Sequence, residues 1–216
     1  MKFWGLIVAF LYVLILAILL PTVGAVLVGS YPNSSDVWKG TISFWTEDPG
    51  IWRFLLVALV AEAALLTVPV NMMEKRPVTK RSIVPLVLAT SFMMLVLVMG
   101  ALTSLYEVFK LGNLNEWMGI FSVAVIWIFW GLMFARWSKG MEPSRFIERQ
   151  CRWLFRGSIL ELLIAVPSHI YVRQRTECCA GMFTAIGIGC GIAVMLFSFG
   201  PGVFFLFKER IERIRK

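Results

Sequence analysis

Residues 83–105 read IVPLVLATSFMMLVLVMGALTSL, and none of these 23 residues carries a charge. A helix needs roughly 20 consecutive apolar residues to cross the hydrocarbon core of a bilayer. A barrel strand would show a short alternating pattern instead, whereas this run is continuous. Only a helix satisfies all its backbone hydrogen bonds within one such segment. The stretch therefore predicts a membrane-spanning helix and an all-α chain.

The composition extends this prediction to the whole chain. Of its 216 residues, 59% are hydrophobic and 16% are charged, whereas a soluble domain carries about 25% charged residues. That balance excludes an ordinary soluble globule and a disordered chain. The longest polar stretches, residues 30–50 and 138–152, are loop-sized. Any chemistry must therefore take place in the bilayer, at its surface or on a partner.

Six apolar segments predict a polytopic transmembrane helical bundle. The fifth segment is the weakest, because Glu161, Pro167 and His169 lie in it. If that segment is re-entrant or interfacial, the chain has five spans and its basic tail lies outside. The charge distribution favours six spans in one integral membrane domain, residues 1–216, at about residues 3–29, 51–73, 83–105, 117–137, 153–172 and 180–207.

The net charge of +8 has a positional explanation. Lys and Arg collect in the cytoplasmic loops of membrane proteins. With a cytoplasmic N-terminus, the inside segments hold 16 of the 21 Lys and Arg residues. We therefore predict both termini in the cytoplasm, a location in the bacterial inner membrane and no nucleic-acid partner.

Glu62 is the first candidate site residue, because it lies near the middle of the second apolar segment. A carboxylate at the centre of a bilayer is costly, so it normally faces protein or water and has a role there. One interpretation is a proton or cation site. The other is a structural hydrogen bond from a protonated carboxyl to a neighbouring helix.

The fifth segment carries a polar stripe. Glu161, Ala165, His169 and Arg173 are spaced by four residues, and such positions share one slowly drifting side of a helix. His titrates near neutral pH, so the stripe is a candidate proton relay or pocket lining. Alternatively, Arg173 reaches the headgroups, His169 is an interfacial residue and Glu161 pairs with another helix.

Cys178 and Cys179 form a candidate redox pair in the predicted outer turn before the last segment. Adjacent cysteines close only a strained ring, and strained disulfides are the labile kind. Nearby Arg173 and Arg175 favour a thiolate. Against this interpretation, cysteines in apolar segments commonly act as small hydrophobic residues. The sequence assigns no metal site and no cofactor.

The last segment has a face of small residues that suits close helix packing. We expect it to meet the fifth helix or another subunit, including a second copy of the chain. Gly187 and Gly191 add a second small pair. The face comprises Gly181, Ala185, Gly189 and Ala193, at intervals of four.

Residues 142–156 predict a short interfacial amphipathic helix. Pro143 suits its first turn, and four arginines at spacings of four, three and four share one face. A basic amphipathic segment beside a span is expected to rest on anionic lipid headgroups of the bilayer. The arginines are Arg145, Arg149, Arg152 and Arg156.

Three functions remain open at this point, and none is supported by a Walker loop, HExxH, GxSxG or CxxCH motif in the chain. The first is a non-enzymatic subunit or scaffold of a larger membrane complex, with a buried Glu/His site. The second is a proton- or ion-coupled transporter or channel that uses Glu62, Glu161 and His169. The third is a membrane thiol-disulfide oxidoreductase that uses Cys178 and Cys179.

Overall fold

The computed structural model describes most of the chain, and every regular element in that part is a helix. The described residues are 2–28, 38–39, 42–43, 46, 49–73, 80–110, 116–139, 141–175 and 181–214. No strand occurs among them, which confirms the all-α prediction. The described residues contain six long helices, which are α1 (Lys2–Val28), α2 (Pro49–Met73), α3 (Lys80–Phe109), α4 (Glu116–Ser138), α5 (Pro143–Arg173) and α6 (Met182–Ile214).

Within the described residues, four helical segments are long and apolar enough to cross a membrane. They are Ile83–Phe109, Gly119–Ser138, Pro143–Arg173 and Met182–Pro201. Shorter apolar segments, Phe10–Gly24 and Leu55–Leu66, lie in α1 and α2. These features are those of an integral membrane protein, while the exact number of crossings stays a prediction.

The predicted interfacial segment and the fifth span belong to one continuous helix. Helix α5 runs without interruption from Pro143 to Arg173, which is 31 residues, and so is about 46 Å long at 1.5 Å per residue. The hydrocarbon core is only about 30 Å thick. A helix of this length extends beyond the core, so its basic first turns can reach headgroup level.

Helices α3, α5 and α6 form the centre of the bundle. Small residues let them approach closely, as at Gly157, where an added Cβ would lie 3.0 Å from Leu97 Cδ1. Leu86, Met94 and Leu154 are buried in the same core. Helix α4 is peripheral: it packs mainly on α3, and little of its apolar segment is buried.

Contacts between helices define one end of the bundle that carries many arginines. Gln150 Nε2 of α5 donates to Thr90 Oγ1 of α3 at 3.0 Å. The rings of Phe155 in α5 and Phe199 in α6 have centroids 5.4 Å apart. The first halves of α3 and α5 therefore lie beside the second half of α6. We call this the basic end of the bundle, and the opposite side the far end.

Candidate functional site

The Glu161 carboxyl occupies a notch in the middle of the bundle. Glu161 is 2% exposed and lies on the buried side of α5. Three glycines from two neighbouring helices surround its carboxyl: Gly100 of α3, and Gly187 and Gly191 of α6. A Cβ added to Gly100 or Gly187 would lie 2.9 or 3.2 Å from Oε1, and one at Gly191 would collide with Oε2. Only glycines leave room for this carboxyl.

This notch offers the carboxyl no donor. Neither Glu161 oxygen has a hydrogen-bond partner among the described residues. The neighbouring Ser104 hydroxyl donates to the Gly100 carbonyl at 2.8 Å, so its only proton is engaged. Cys190 interacts electrostatically with Glu161. We call the Glu161 carboxyl with Gly100, Gly187 and Gly191 the glycine notch.

Glu62 occupies a second, similar position. Its side chain is completely buried, and its carboxyl contacts Gly200 of α6, where an added Cβ would collide with Oε1. Neither carboxyl oxygen has a hydrogen-bond partner in the described part of the chain. Tyr12 of α1 and Cys151 of α5 interact with it electrostatically. Glu62 is thus a second buried carboxyl that contacts a glycine of α6, as Glu161 does.

The two carboxyls do not form one site. Gly191 and Gly200 are nine residues apart on α6, which corresponds to about 13 Å along the helix axis. The polar groups predicted to form a single Glu62–Glu161–His169 site therefore lie at three levels of α6. Glu62 lies toward the basic end, Glu161 is in the middle, and His169 lies toward the far end.

His169 belongs to a hydrogen-bonded corner at the far end. The ring is 7% exposed, and its Nδ1 lies 2.9 Å from Thr184 Oγ1 of α6. The Thr184 hydroxyl therefore has two hydrogen-bond partners, the His169 ring and the Gly181 carbonyl, which lies 2.9 Å from it. The ring also interacts with the Leu27 backbone of α1.

Glu107 is the organising residue of this corner, and no pattern in its own segment predicted that role. Its carboxylate accepts from the backbone N–H groups of Gly181 at 2.6 Å and Thr184 at 2.9 Å. Arg175 donates to the carbonyls of Glu107 and Val108 at 2.9 and 2.6 Å. The first N–H groups of a helix lack partners, and an acidic group there is favoured. Glu107 therefore caps α6 from the end of α3, which only the tertiary structure makes visible.

The small-residue face of α6 is largely used within the chain. Gly181, Ala185 and Ala193 are buried, and Gly189 is half-buried against Leu20 of α1. Gly181 is also required by its backbone, because its φ is +95°, a region that side chains disfavour. The packing predicted from this face takes place against helices of the same chain.

The predicted basic stripe is exposed to the surroundings. Arg145, Arg149, Arg152 and Arg156 are all exposed on α5. Arg149 lies over the Trp137 ring, 4.1 Å from its centroid. Arg152 pairs with Glu148 at 2.6 Å. On α5 itself, Glu161, Ala165 and His169 of the polar stripe are buried, whereas Arg173 is exposed.

The candidate redox pair Cys178–Cys179 lies outside the described residues, so its thiol chemistry stays a prediction. The other two cysteines, Cys151 and Cys190, are both free thiols. Their neighbours are the two buried carboxyls, Glu62 and Glu161 respectively.

No family model, curated protein or solved structure matches the chain. The two buried carboxyls are the features of the described residues that bear most directly on function.

Proposed function

We propose that the protein is a proton-coupled membrane transporter or channel whose central proton-binding group is Glu161. The observation that carries this proposal is the glycine notch, which buries a carboxyl without a hydrogen-bond donor among the described residues. An isolated carboxylate in apolar surroundings costs several kcal/mol. A bound proton removes that cost.

The size of the notch favours a proton over a larger cation. An added methyl group at Gly191 would already overlap with the carboxyl. A metal cation needs several oxygen ligands around it, whereas the nearby Gly100 carbonyl is already engaged by the Ser104 hydroxyl at 2.8 Å. A proton needs no such space, because it binds to the carboxyl oxygen itself.

Proton release would couple to helix movement in this arrangement. A charged Glu161 requires water or a donor, and neither fits while α3 and α6 remain closed on the notch. Loss of the proton therefore favours a state in which α6 has moved away from α3 and α5. A ligand shifts such an equilibrium by its difference in affinity for the two states. This link between charge and packing is what a coupled transporter requires.

The direct test is proton flux into liposomes that contain the purified protein, with Glu161→Gln as the variant. We expect the variant to fall to the flux of protein-free liposomes, because its amide cannot release a proton. Glu142→Gln is the matched control, since Glu142 directly precedes the same helix, is exposed and does not line the cavity described below. It is expected to keep wild-type flux. Wild-type flux in a folded Glu161→Gln protein would contradict the proposal.

A role as a subunit of a larger membrane complex is a second proposal, and helix α4 is the observation that favours it. Its apolar residues Phe121, Ile128, Phe129 and Leu132 are all exposed. In the bilayer such a face is covered by lipid tails or by protein, and this proposal assigns it to a second copy or another membrane subunit. Native mass spectrometry from lipid nanodiscs tests this idea, and a strictly monomeric protein with full proton flux would exclude it.

The proposed location is the bacterial inner membrane, with both termini in the cytoplasm. The exposed arginines of α5 support it, since basic residues favour the cytoplasmic face and its anionic headgroups. A reporter enzyme that is active only in the periplasm, fused after Lys216, is expected to be inactive. An active fusion would reverse the orientation.

A further inference from the structure

A cavity of about 310 Å³ lies at the basic end of the bundle, between α5 and α6. Its lining is mostly apolar, and the polar residues Ser144, Arg145 and Glu148 of α5 lie at its rim. Both charged residues of the rim are exposed, which places the mouth of the cavity at the level of water or headgroups. A water molecule occupies about 30 Å³ in the liquid, so a cavity of this size admits several.

The floor of this cavity adjoins Glu62. Cys151, Ser198 and Pro201 line the cavity from inside the bundle. The Cys151 thiol interacts electrostatically with the Glu62 carboxyl. Pro201 directly follows Gly200, the residue against which that carboxyl is seated. One residue of the cavity lining, Pro201, is thus the sequence neighbour of the glycine that contacts the buried carboxyl.

Glu62 is the buried group that needs such a connection. It lies on α2, is completely buried, and has no hydrogen-bond partner among the described residues. A carboxyl of this kind exchanges its proton with water only through an opening in the surrounding layer. Among the residues that line the cavity, Cys151 and Pro201 are the ones linked to that carboxyl.

We propose that this cavity is the aqueous path by which protons reach Glu62 from the basic end of the bundle. The inference rests on the proposed function, in which the buried carboxyls bind protons. It also gives the order in which protons reach the two carboxyls, because Glu62 is the proton site connected to the basic end. Glu161, about 13 Å further along α6, is reached after it.

Cys151 provides a natural means of testing this path. In a protein with Cys178, Cys179 and Cys190 replaced by serine, Cys151 is modified with a charged, water-soluble thiol reagent. Hydrogen–deuterium exchange of the carboxyl groups is then followed by infrared spectroscopy, with the Glu62 band assigned by its loss in Glu62→Gln. We expect modification to slow exchange at Glu62 at least tenfold, because the reagent fills the floor of the cavity.

The matched control keeps Cys190 and replaces the other three cysteines. Its modification is expected to leave exchange at Glu62 unchanged, because Cys190 does not line this cavity. Ser198→Phe fills the cavity from the opposite wall without a reagent, and the same slowing is expected. This second variant separates a blocked path from a local disturbance around Cys151.

Exchange at Glu62 that stays at the wild-type rate in both the modified protein and Ser198→Phe would overturn the inference. Failure of the proposed function has a different signature. In that case wild-type liposomes show no proton flux, while exchange at Glu62 still slows on modification of Cys151. If proton flux persists but the exchange rate at Glu62 does not change on modification of Cys151, the proposed function is retained and this path is excluded.

Discussion

Glu161 and Glu107 carry the same functional group against the same helix, and their surroundings are opposite. Glu107 meets the first turn of α6 and accepts two backbone N–H groups there. Glu161 meets the middle of α6 and finds glycines without a donor. The reason is the helix itself, because only its first N–H groups are left without a partner inside the helix. The Glu107 carboxyl therefore has a structural role at the start of α6, whereas the Glu161 carboxyl remains unpaired beside the middle of the same helix.

The largest effect expected from this comparison follows from closing the glycine notch. Gly191→Ala places a methyl group on the Glu161 carboxyl, and overpacking of this kind costs about 3 kcal/mol. Thermal unfolding in detergent is expected to show this loss. Replacing Glu161 by Ala in the same protein is expected to restore most of the stability.

Gly189→Ala is the control for this prediction. Its new Cβ would lie 3.6 Å from Leu20 Cδ2, which is an ordinary contact. Since Ala favours a helix over Gly by up to about 1 kcal/mol, this variant should be as stable as the wild type or more so. Equal behaviour of the two alanine variants would show that the notch is not tightly closed.

Removing the other carboxyl tests the opposite side of the comparison. Glu107→Ala leaves the N–H groups of Gly181 and Thr184 without their acceptor, and loss of a helix cap costs about 1–2 kcal/mol. We expect lower thermal stability but proton flux in proportion to the folded protein. A variant that unfolds like the wild type but has lost its flux would make Glu107 part of the proton path.

The smallest effect is expected at His169. His169→Phe removes the bond to Thr184, whose hydroxyl still donates to the Gly181 carbonyl. A single hydrogen bond contributes about 1 kcal/mol, so the unfolding temperature should fall slightly and the flux should persist. Loss of flux at unchanged stability would instead support the proton relay predicted from the polar stripe of α5.

Features that depend on local helical geometry could be predicted from the sequence, whereas features that depend on contacts between distant residues could not. Spacings of four on α5 predicted a shared polar side, because helical geometry is local; Glu161 and His169 of that stripe are buried, whereas Arg173 is exposed. Glu62 is also correctly placed in the interior, because a lone charge in an apolar run must avoid lipid. The role of Gly100, by contrast, has no signal in its own segment, since it depends on a carboxyl 61 residues later in the chain.

The amino-acid sequence by itself determined the all-helical class, because continuous apolar runs satisfy their backbone only as helices in lipid. It also determined which carboxyls are buried, through their position within those runs. Only the tertiary structure decided that Glu62 and Glu161 occupy separate places on α6, and that Glu107 caps this helix. These outcomes depend on the register in which distant helices pack, and that register is set by small residues on both surfaces at once.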